Sequence, residues 1–549
     1  MTCFSCLFEA KSIQDYILRS GRLRHIVGAS ELIDSLTRDL LDGVLDALDL
    51  SLKEADGRVR FSRRAGGAVY LFTDERELRD GFRDLWTLTV RRYAPGLSFV
   101  VATGEGDSDH DAYEQARDRL LAARNRQAPA LPAGTPVTRY APRTGLPASC
   151  KDKLGFQDEA TARFGRDQFW KREHHGLIQR FAPDSVRDDW PRDLNYLPDE
   201  SEPLFPFLDD SRYLGLLHAD GNGLGQLLMD LGEEVKERPD FANLFKDVSE
   251  SIQKATEAAA QWATQTVLEP RREVTGDGAK GPYPARPIVL GGDDLTMLIR
   301  ADLALPFAQV FLERFEQTSK EQMDALRGKY SDIKSLPSAL TAGAGVAFIK
   351  SNHPFYMAHE LTEGLAKFAK DRAKNLRKDP KERIPPTLAF YRVTTASHGD
   401  YREVREQELT FGSDDERILT SLGAYGVDLQ PEGLPALNDL QELARLFARE
   451  SVARGPARQI LTLIGQDLGE ARRRYERWRE VMHERDRNTL SEIDNLLQNL
   501  CVKLDPTLPV SLNGSGETPK ISPLTDLLTL LAIGQAETEQ TPSDMEKDA

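Results

Sequence analysis

Apolar and polar positions alternate along the first hundred residues in a way that predicts strand, helix, hairpin and strand. Thr2 to Phe8 is an apolar run, and Ile13 to Leu40 carries helical spacing. Ala68-Val69-Tyr70-Leu71-Phe72 and Leu97-Ser98-Phe99-Val100-Val101 are β-rich. Pro, Ala, Gly and Thr then break both periodicities between Gln127 and Leu146, which marks a boundary or a loop.

The β-rich pattern returns at Tyr213 to His218, followed by the start of a helix over Leu224 to Leu231 and a second helix over Val248 to Val267. Pro287-Ile288-Val289-Leu290 and Leu295-Thr296-Met297-Leu298-Ile299 flank a four-residue turn. A helix from Pro306 to about Leu326, a strand Ala344 to Ile349, a helix Phe355 to about Leu376 and a strand Thr387 to Val393 complete the unit. The order is β-α-β-β-α-β with additions, the ferredoxin-like split arrangement at the heart of palm domains. Beyond about residue 414, Ile418 to Leu422, Leu434 to Phe447, Ile460 to Met482 and Leu490 to Leu500 have helical spacing and predict a small bundle. The expected division is 1–146, 147–210, 211–400 and 401–534, with a polar, acidic tail at 535–549 expected to be disordered. The fold class is α+β: two ferredoxin-like palms, a connector and a C-terminal helical bundle.

Length and composition agree with this division. At 549 residues, 40% of them hydrophobic and 29% charged, the chain is globular and too long for one core at about 150 residues per domain. No stretch approaches the ~18 uninterrupted apolar residues of a membrane span, and the start lacks the pattern of a signal peptide, so a cytoplasmic protein is expected. Four scattered cysteines do not make a disulfide framework. A formal net charge of −16 argues against a surface that holds nucleic acid throughout, so any such contact is local or shared with basic partners.

The candidate chemistry lies in two acidic turns, Ala219-Asp220-Gly221-Asn222-Gly223-Leu224-Gly225 and Gly291-Gly292-Asp293-Asp294. In a ferredoxin-like sheet the first strand and the central hairpin are adjacent, so Asp220 can meet Asp293 and Asp294. Such carboxylates suit Mg²⁺, or Mn²⁺, which takes one or two carboxylates together with substrate phosphates. Two ions at such a centre activate a hydroxyl and neutralise a leaving pyrophosphate. Gly221, Gly223 and Gly225 open the backbone into a helix whose N–H groups can face a triphosphate, while Gly291 and Gly292 permit a tight acidic hairpin. Either turn alone is a common loop; it is the pair that points to a metal–nucleotide site.

Other residues leave two readings open. Lys367 and Lys370 either reach a phosphate, Lys370 being the better placed, or form a solvated helix face. Alternation puts His218 on the same strand face as Asp220, where a packed role outweighs a chemical one. Cys3 and Cys6 read as buried thiols within a strand, and His174-His175 and Cys150 are assigned no zinc for want of a second ligand pair. Arg271, Arg272 and Lys280 read as a solvated surface loop rather than an RNA contact.

These residues resemble the large polymerase/cyclase subunit of type III CRISPR effector complexes, particularly the branch found in Cmr-type complexes. The resemblance is carried by Tyr213 to Gly225, by Gly291 to Asp294 as the family's GGDD, by Thr341 to Lys350, and by His353-Pro354-Phe355 running into Ala369-Lys370. Ile13 to Ile17 and Arg22 to Ser30 resemble the family's first palm. Three departures stand out. Ala65-Gly66-Gly67-Ala68-Val69 replaces an acidic hairpin, so the first palm reads as degenerate; Asn222-Gly223 replaces the usual Asp-Asn, which bears on nucleotide selectivity; and the family's Cys-x-x-Cys zinc pattern is missing, leaving the connector as a remnant of that insert. The sequence begins almost directly at the first palm, and His110-Asp111 follows a palm strand, so no HD-type nuclease is expected.

The resemblance implies ATP as substrate, joined into a cyclic oligoadenylate by two-metal catalysis, with metal at Asp220, Gly221, Asp293 and Asp294 and the nucleotide held by Gly221, Asn222, Gly223, Leu224, Gly225, Gly291, Gly292 and Lys370. It implies other type III CRISPR subunits, crRNA and target RNA as partners. The alternatives are a silent nucleotide-binding scaffold and a stand-alone defence cyclase with a different nucleotide product.

Overall fold

The computed structural model describes residues 2–50, 58–125, 135, 137–152, 155–166, 176–194, 204–274, 278–377, 379, 382–394, 400–413, 416–428, 433–512 and 519–534. The acidic tail 535–549, His174-His175 and most of the stretch 126–136 lie outside the described residues.

The N-terminal unit runs β1 (Cys3–Lys11), α1 (Ile13–Leu18), α2 (Leu23–Leu36), α3 (Asp39–Ala47), β2 (Val59–Ala65), β3 (Ala68–Thr73), α4 (Arg76–Tyr93), β4 (Ser98–Gly106) and α5 (Asp109–Arg124). Its sheet has the order β2-β3-β1-β4. The single helical stretch expected over Ile13 to Leu40 is three helices. It is interrupted at Gly21, whose φ of 63° is left-handed, and at Thr37-Arg38.

A connector follows: β5 (Cys150–Asp152), β6 (Gly155–Gln157), α6 (Glu159–Arg166) and a buried 3₁₀ turn at Leu177–Arg180. The second α+β unit contains β7 (Tyr213–Gly221), α7 (Leu224–Glu234), α8 (Phe241–Ala263), β8 (Ala285–Gly291), β9 (Asp294–Arg300), α9 (Ala301–Lys329), β10 (Ala342–Lys350), α10 (Phe355–Leu376) and β11 (Thr387–Arg392). Helix α9 starts five residues before Pro306, which sits inside it rather than opening it. A buried Arg300–Asp302 ion pair (2.7 Å) holds that earlier start.

Past it lie α11 (Tyr401–Gln407), β12 (Thr410–Ser413), β13 (Glu416–Leu419), β14 (Ala424–Gly426), α12 (Leu437–Ala448), α13 (Gly455–Ile464), α14 (Leu468–Arg485), α15 (Arg487–Leu500), β15 (Lys520–Ile521) and α16 (Leu524–Ala532). Two expectations are corrected here. Ile418 to Leu422 is no helix: Ile418 and Leu419 belong to β13, paired with β12 and β15, a choice that so short an apolar run leaves to tertiary pairing. The helix expected from Ile460 to Met482 breaks at Gly465 to Asp467, where the Asp467 carboxylate accepts from Glu470 N (3.0 Å) and caps α14.

The second sheet has the order β14-β11-β10-β7-β9-β8. Its four core strands repeat the order of the N-terminal sheet: the hairpin's outer strand, its inner strand, the first strand, then the last. Alternation along β7 sends Leu217 and Ala219 into a core shared with α8 and α9, and Leu214 and Leu216 into one shared with α10 and the N-terminal unit. The two units clasp one another, with α2 of the first against β8 of the second and α8 of the second against β2 of the first. Phe241 on α8 touches Tyr113 and His110 on α5, with ring centroids 5.6 and 5.3 Å apart. His110 of the His110-Asp111 dipeptide is thus part of this packing.

Candidate active site

Register brings the acids together. Strand β7 lies between β9 and β10, with Ala219 opposite Leu295 and Asp220 opposite Gly343. Gly291 pairs with Asp294, so the β8–β9 hairpin turns through Gly292 and Asp293, and Gly292 takes the required positive φ (63°). Carboxylate oxygens of Asp220, Asp293 and Asp294 lie within 4.8 Å of one another. Gly221 N donates to Asp293 Oδ2 (3.2 Å), and a Cβ on Gly221 would stand 2.8 Å from that oxygen. Glycine here keeps the strand end against the hairpin.

The electrostatics are those of a site short of positive charge. Burial, followed by the neighbouring Asp220, pushes Asp293 up to about 6. Burial and the negative charges of Asp293 and Asp220 raise Asp294 well above the ordinary carboxylate value. Burial also works to raise Asp220, but hydrogen bonds with Asp293 and the adjacent Lys370 ammonium outweigh it and hold Asp220 low. Lys370 Nζ donates to Asp220 Oδ2 and to Gly221 O (3.1 Å). One ammonium among three carboxylates leaves room for a divalent cation, and an all-oxygen donor set fits Mg²⁺ or Mn²⁺.

Two glycines explain how Lys370 arrives there. A Cβ on Gly343 would come within 2.3 Å of Lys370 Cγ, and one on Gly345 within 2.3 Å of Thr362 O. The bare backbone of β10 lets α10 lie close on the sheet. Lys367, three residues earlier, is exposed.

On the same face His218 Nδ1 is 3.1 Å from Thr296 Oγ1, and its ring meets His359 on α10 edge-on. Burial lowers His218 to about 4 and His359 to about 3, so both are neutral at pH 7 and serve packing.

Gly223 caps α7 in the left-handed region (φ 72°), and Gly225 has open space where a Cβ would stand. Leu224 is buried. Asn222 points elsewhere: its amide donates to Thr341 Oγ1 (3.0 Å) and its backbone N to Thr341 O (2.8 Å), tying the acidic turn to the start of β10.

In the N-terminal unit the β2–β3 hairpin presents Gly66 and Gly67, both at positive φ, where the second presents Gly292 and Asp293. The two hairpins abut, and a Cβ on Gly291 would stand 3.3 Å from Gly66 Cα. Beside them lies a cavity of about 350 Å³ lined by basic side chains, Arg64 and Lys254 among them, and by the acids Asp34, Glu250, Glu257 and Asp294.

The remaining candidates lie apart from this centre. Cys3, Cys6, Cys150 and Cys501 are free thiols; Cys3 Sγ donates to Asp109 Oδ1 (2.8 Å), and burial pushes Cys3 and Cys6 up to about 12. Arg272 is not solvated as expected. It is half-buried, paired with Asp189, and stacks 4.4 Å over the Tyr283 ring, while Lys280 pairs with Glu269. Sequence reasoning placed Thr341 only within a family-like stretch and gave it no role, and it missed Arg180 and Thr256, which hold the hairpin's backbone. Nothing in their local pattern signals it.

A ferredoxin-like sheet whose first strand and central hairpin converge three carboxylates beside a glycine-capped helix is a palm, a nucleotidyltransferase-like fold. Within that class, residues 213–378 match the family model described as Cas10/Cmr2, second palm domain. Among solved structures the chain is similar to Csm1 of T. onnurineus, at 13% identity and a TM-score of 0.44 over 98% of this chain and 70% of that one. It is similar, at 13% identity and a TM-score of 0.43 over the same shares, to the Csm1–Csm4 cassette in complex with cA4 and to that cassette with one ATP. No curated protein matches the sequence.

Proposed function

We propose that this chain is the nucleotidyl cyclase subunit of a type III CRISPR RNA-guided complex and converts ATP into a cyclic oligoadenylate messenger. The observation that carries this reading is the convergence of Asp220, Asp293 and Asp294 inside a Cas10/Cmr2 second palm domain. In this scheme these carboxylates and the Gly221 carbonyl hold two Mg²⁺ or Mn²⁺ ions, which supply charge neutralisation on the triphosphate and activation of a 3′ hydroxyl.

The chain's own groups do the positioning. Backbone N–H groups at the start of α7, opened by Gly223 and Gly225, face the phosphates with the positive end of the helix. Lys370, now on Asp220, lies within reach of a phosphate that displaces it and balances the charge of the leaving group. The neighbouring cavity between the hairpins, with its Arg64 and Lys254, gives a second nucleotide an anion-accepting place from which its hydroxyl approaches the first. Partners are other type III subunits, crRNA and target RNA, and the compartment is the cytoplasm. The substrate and product named here are of the kinds held by the similar Csm1–Csm4 cassettes, ATP in one and cA4 in another.

The test is incubation with ATP and Mg²⁺, with and without the co-purifying complex and target RNA, read by mass spectrometry. A cyclic adenylate absent from the Asp293→Ala/Asp294→Ala variant is the expected result. Nucleotide binding without turnover in every condition is the result of a silent scaffold.

A further inference from the structure

Strand β8 is the outer strand of its sheet, so every second carbonyl along it points away from β9 without a strand partner. Two of these, on Ile288 and Leu290, and the carbonyl of Gly292 in the turn beyond the strand, are taken by side chains from other parts of the chain. Ser30 Oγ on α2 donates to Ile288 O. Arg180 Nη1, from the 3₁₀ turn of the connector, donates to Leu290 O. Thr256 Oγ1 on α8 donates to Gly292 O (2.7 Å). The strand that ends in the acidic hairpin is therefore held on its outer edge by three elements, two of them outside the second palm.

Arg180 is the centre of this arrangement. It is buried, and two carboxylates fix its guanidinium: Asp34 of α2 through Nη1 (2.8 Å) and Glu257 of α8 through Nε (2.7 Å). A planar fork charged at any working pH can serve two carboxylates and a carbonyl at once, which a lysine ammonium on a flexible stem cannot do with the same geometry. The carbonyl it holds belongs to the residue immediately before Gly291-Gly292-Asp293-Asp294, so a shift of the guanidinium moves the hairpin that carries two of the three acids.

We infer that Arg180 is a positioning residue for the metal-binding hairpin, and that through it the N-terminal palm and the connector set the placing of Asp293 and Asp294. The inference deepens the proposed function and rests on its assignment of metal to the acidic triad. It gives the first palm, whose own hairpin carries glycines in place of acids, a role, because α2 supplies Asp34 and Ser30 to the strand that leads into the acidic hairpin.

The test uses the full chain with Mn²⁺ alone, its binding followed by electron paramagnetic resonance, beside hydrogen exchange of the 288–297 segment. Arg180→Lys should weaken Mn²⁺ binding by about tenfold, in the range seen when a group orienting metal ligands is lost, and should speed exchange in that segment. Arg272→Lys, which alters a half-buried arginine held on Asp189 away from the hairpin, controls for loss of packing: it should leave Mn²⁺ affinity unchanged whatever it does to the melting temperature. A folded Arg180→Lys variant with wild-type Mn²⁺ affinity overturns the inference. Should that variant fail to fold, Asp34→Asn and Glu257→Gln each remove one arm; unchanged affinity in both overturns it, and a loss of about tenfold in either supports it. Mn²⁺ binding that depends on Arg180 in a chain that makes no nucleotide product leaves the positioning role standing and removes the cyclase reading. Product formation with Arg180→Lys at wild-type affinity does the reverse.

Discussion

Asp220, Asp293 and Asp294 sit close enough that their charges oppose one another, and their titration should show it. Asp293, an acid raised to about 6, holds a proton in the folded chain at pH values where an ordinary carboxylate has lost it. That proton competes with metal, so Mn²⁺ affinity should climb as pH rises from 5 to 7, and Asp293→Asn should abolish both the binding and the climb. Calorimetric titration at a series of pH values checks this, and affinity flat across that window in the wild type sinks it. These three acids were legible in the sequence because acids at strand-end turns stand out beside glycine, and Lys370 was legible through the family motif. Arg180 was not. Its partners lie 146 and 77 residues away, its surroundings lack periodicity, and only the folded chain brings them together.

At the scale of elements, the approach of α10 to β10 sets where Lys370 stands. Gly343→Ala puts a methyl group where Lys370 Cγ now lies. The chain should still fold, at a cost of about 1–3 kcal/mol, while nucleotidyl transfer falls towards the level of Lys370→Met. Thermal melts beside initial rates separate the two effects, and full activity in Gly343→Ala would contradict this account of the close packing.

A second element-scale prediction concerns the seam between the palms, where Glu31 on α2 accepts from Leu177 N (3.1 Å) and faces Arg286 of β8 (3.8 Å). Burial raises Glu31 to about 7 from an ordinary value of 4.5. The folded chain then binds more protons than the unfolded one between these values, so this group's contribution to stability falls as pH rises from about 4.5 through 7. That part of the slope should vanish in Glu31→Gln, as read from denaturant midpoints at pH 5 and pH 8. An unchanged slope would rule the seam out as its source. The helices and strands of the second palm were legible from periodicity because its strands are apolar and bounded by turn residues. The breaks inside the α1–α3 and α13–α14 stretches were not, because helical spacing resumes after each interruption, and β13 was lost because a short apolar run carries no period of its own.

For the whole molecule, two units of the same strand order face one another, and one of them has the acids. The clasp of α2 on β8 and α8 on β2 makes the palm with the glycine hairpin a support for the other, and the hairpin-to-hairpin contact at Gly66 and Gly291 has a cavity of mixed charge beside it, next to the triad. Two separate α+β patterns were readable from periodicity; the clasp between them was not, because it depends on helix faces whose partners lie in the other unit. The central claim is that the second palm joins nucleotides, and the most direct measurement is the product of ATP and Mg²⁺ with the intact complex and target RNA, resolved by mass spectrometry. A cyclic adenylate that disappears in the Asp293→Ala/Asp294→Ala variant is the result this account expects, whereas a product that persists in that variant would contradict it.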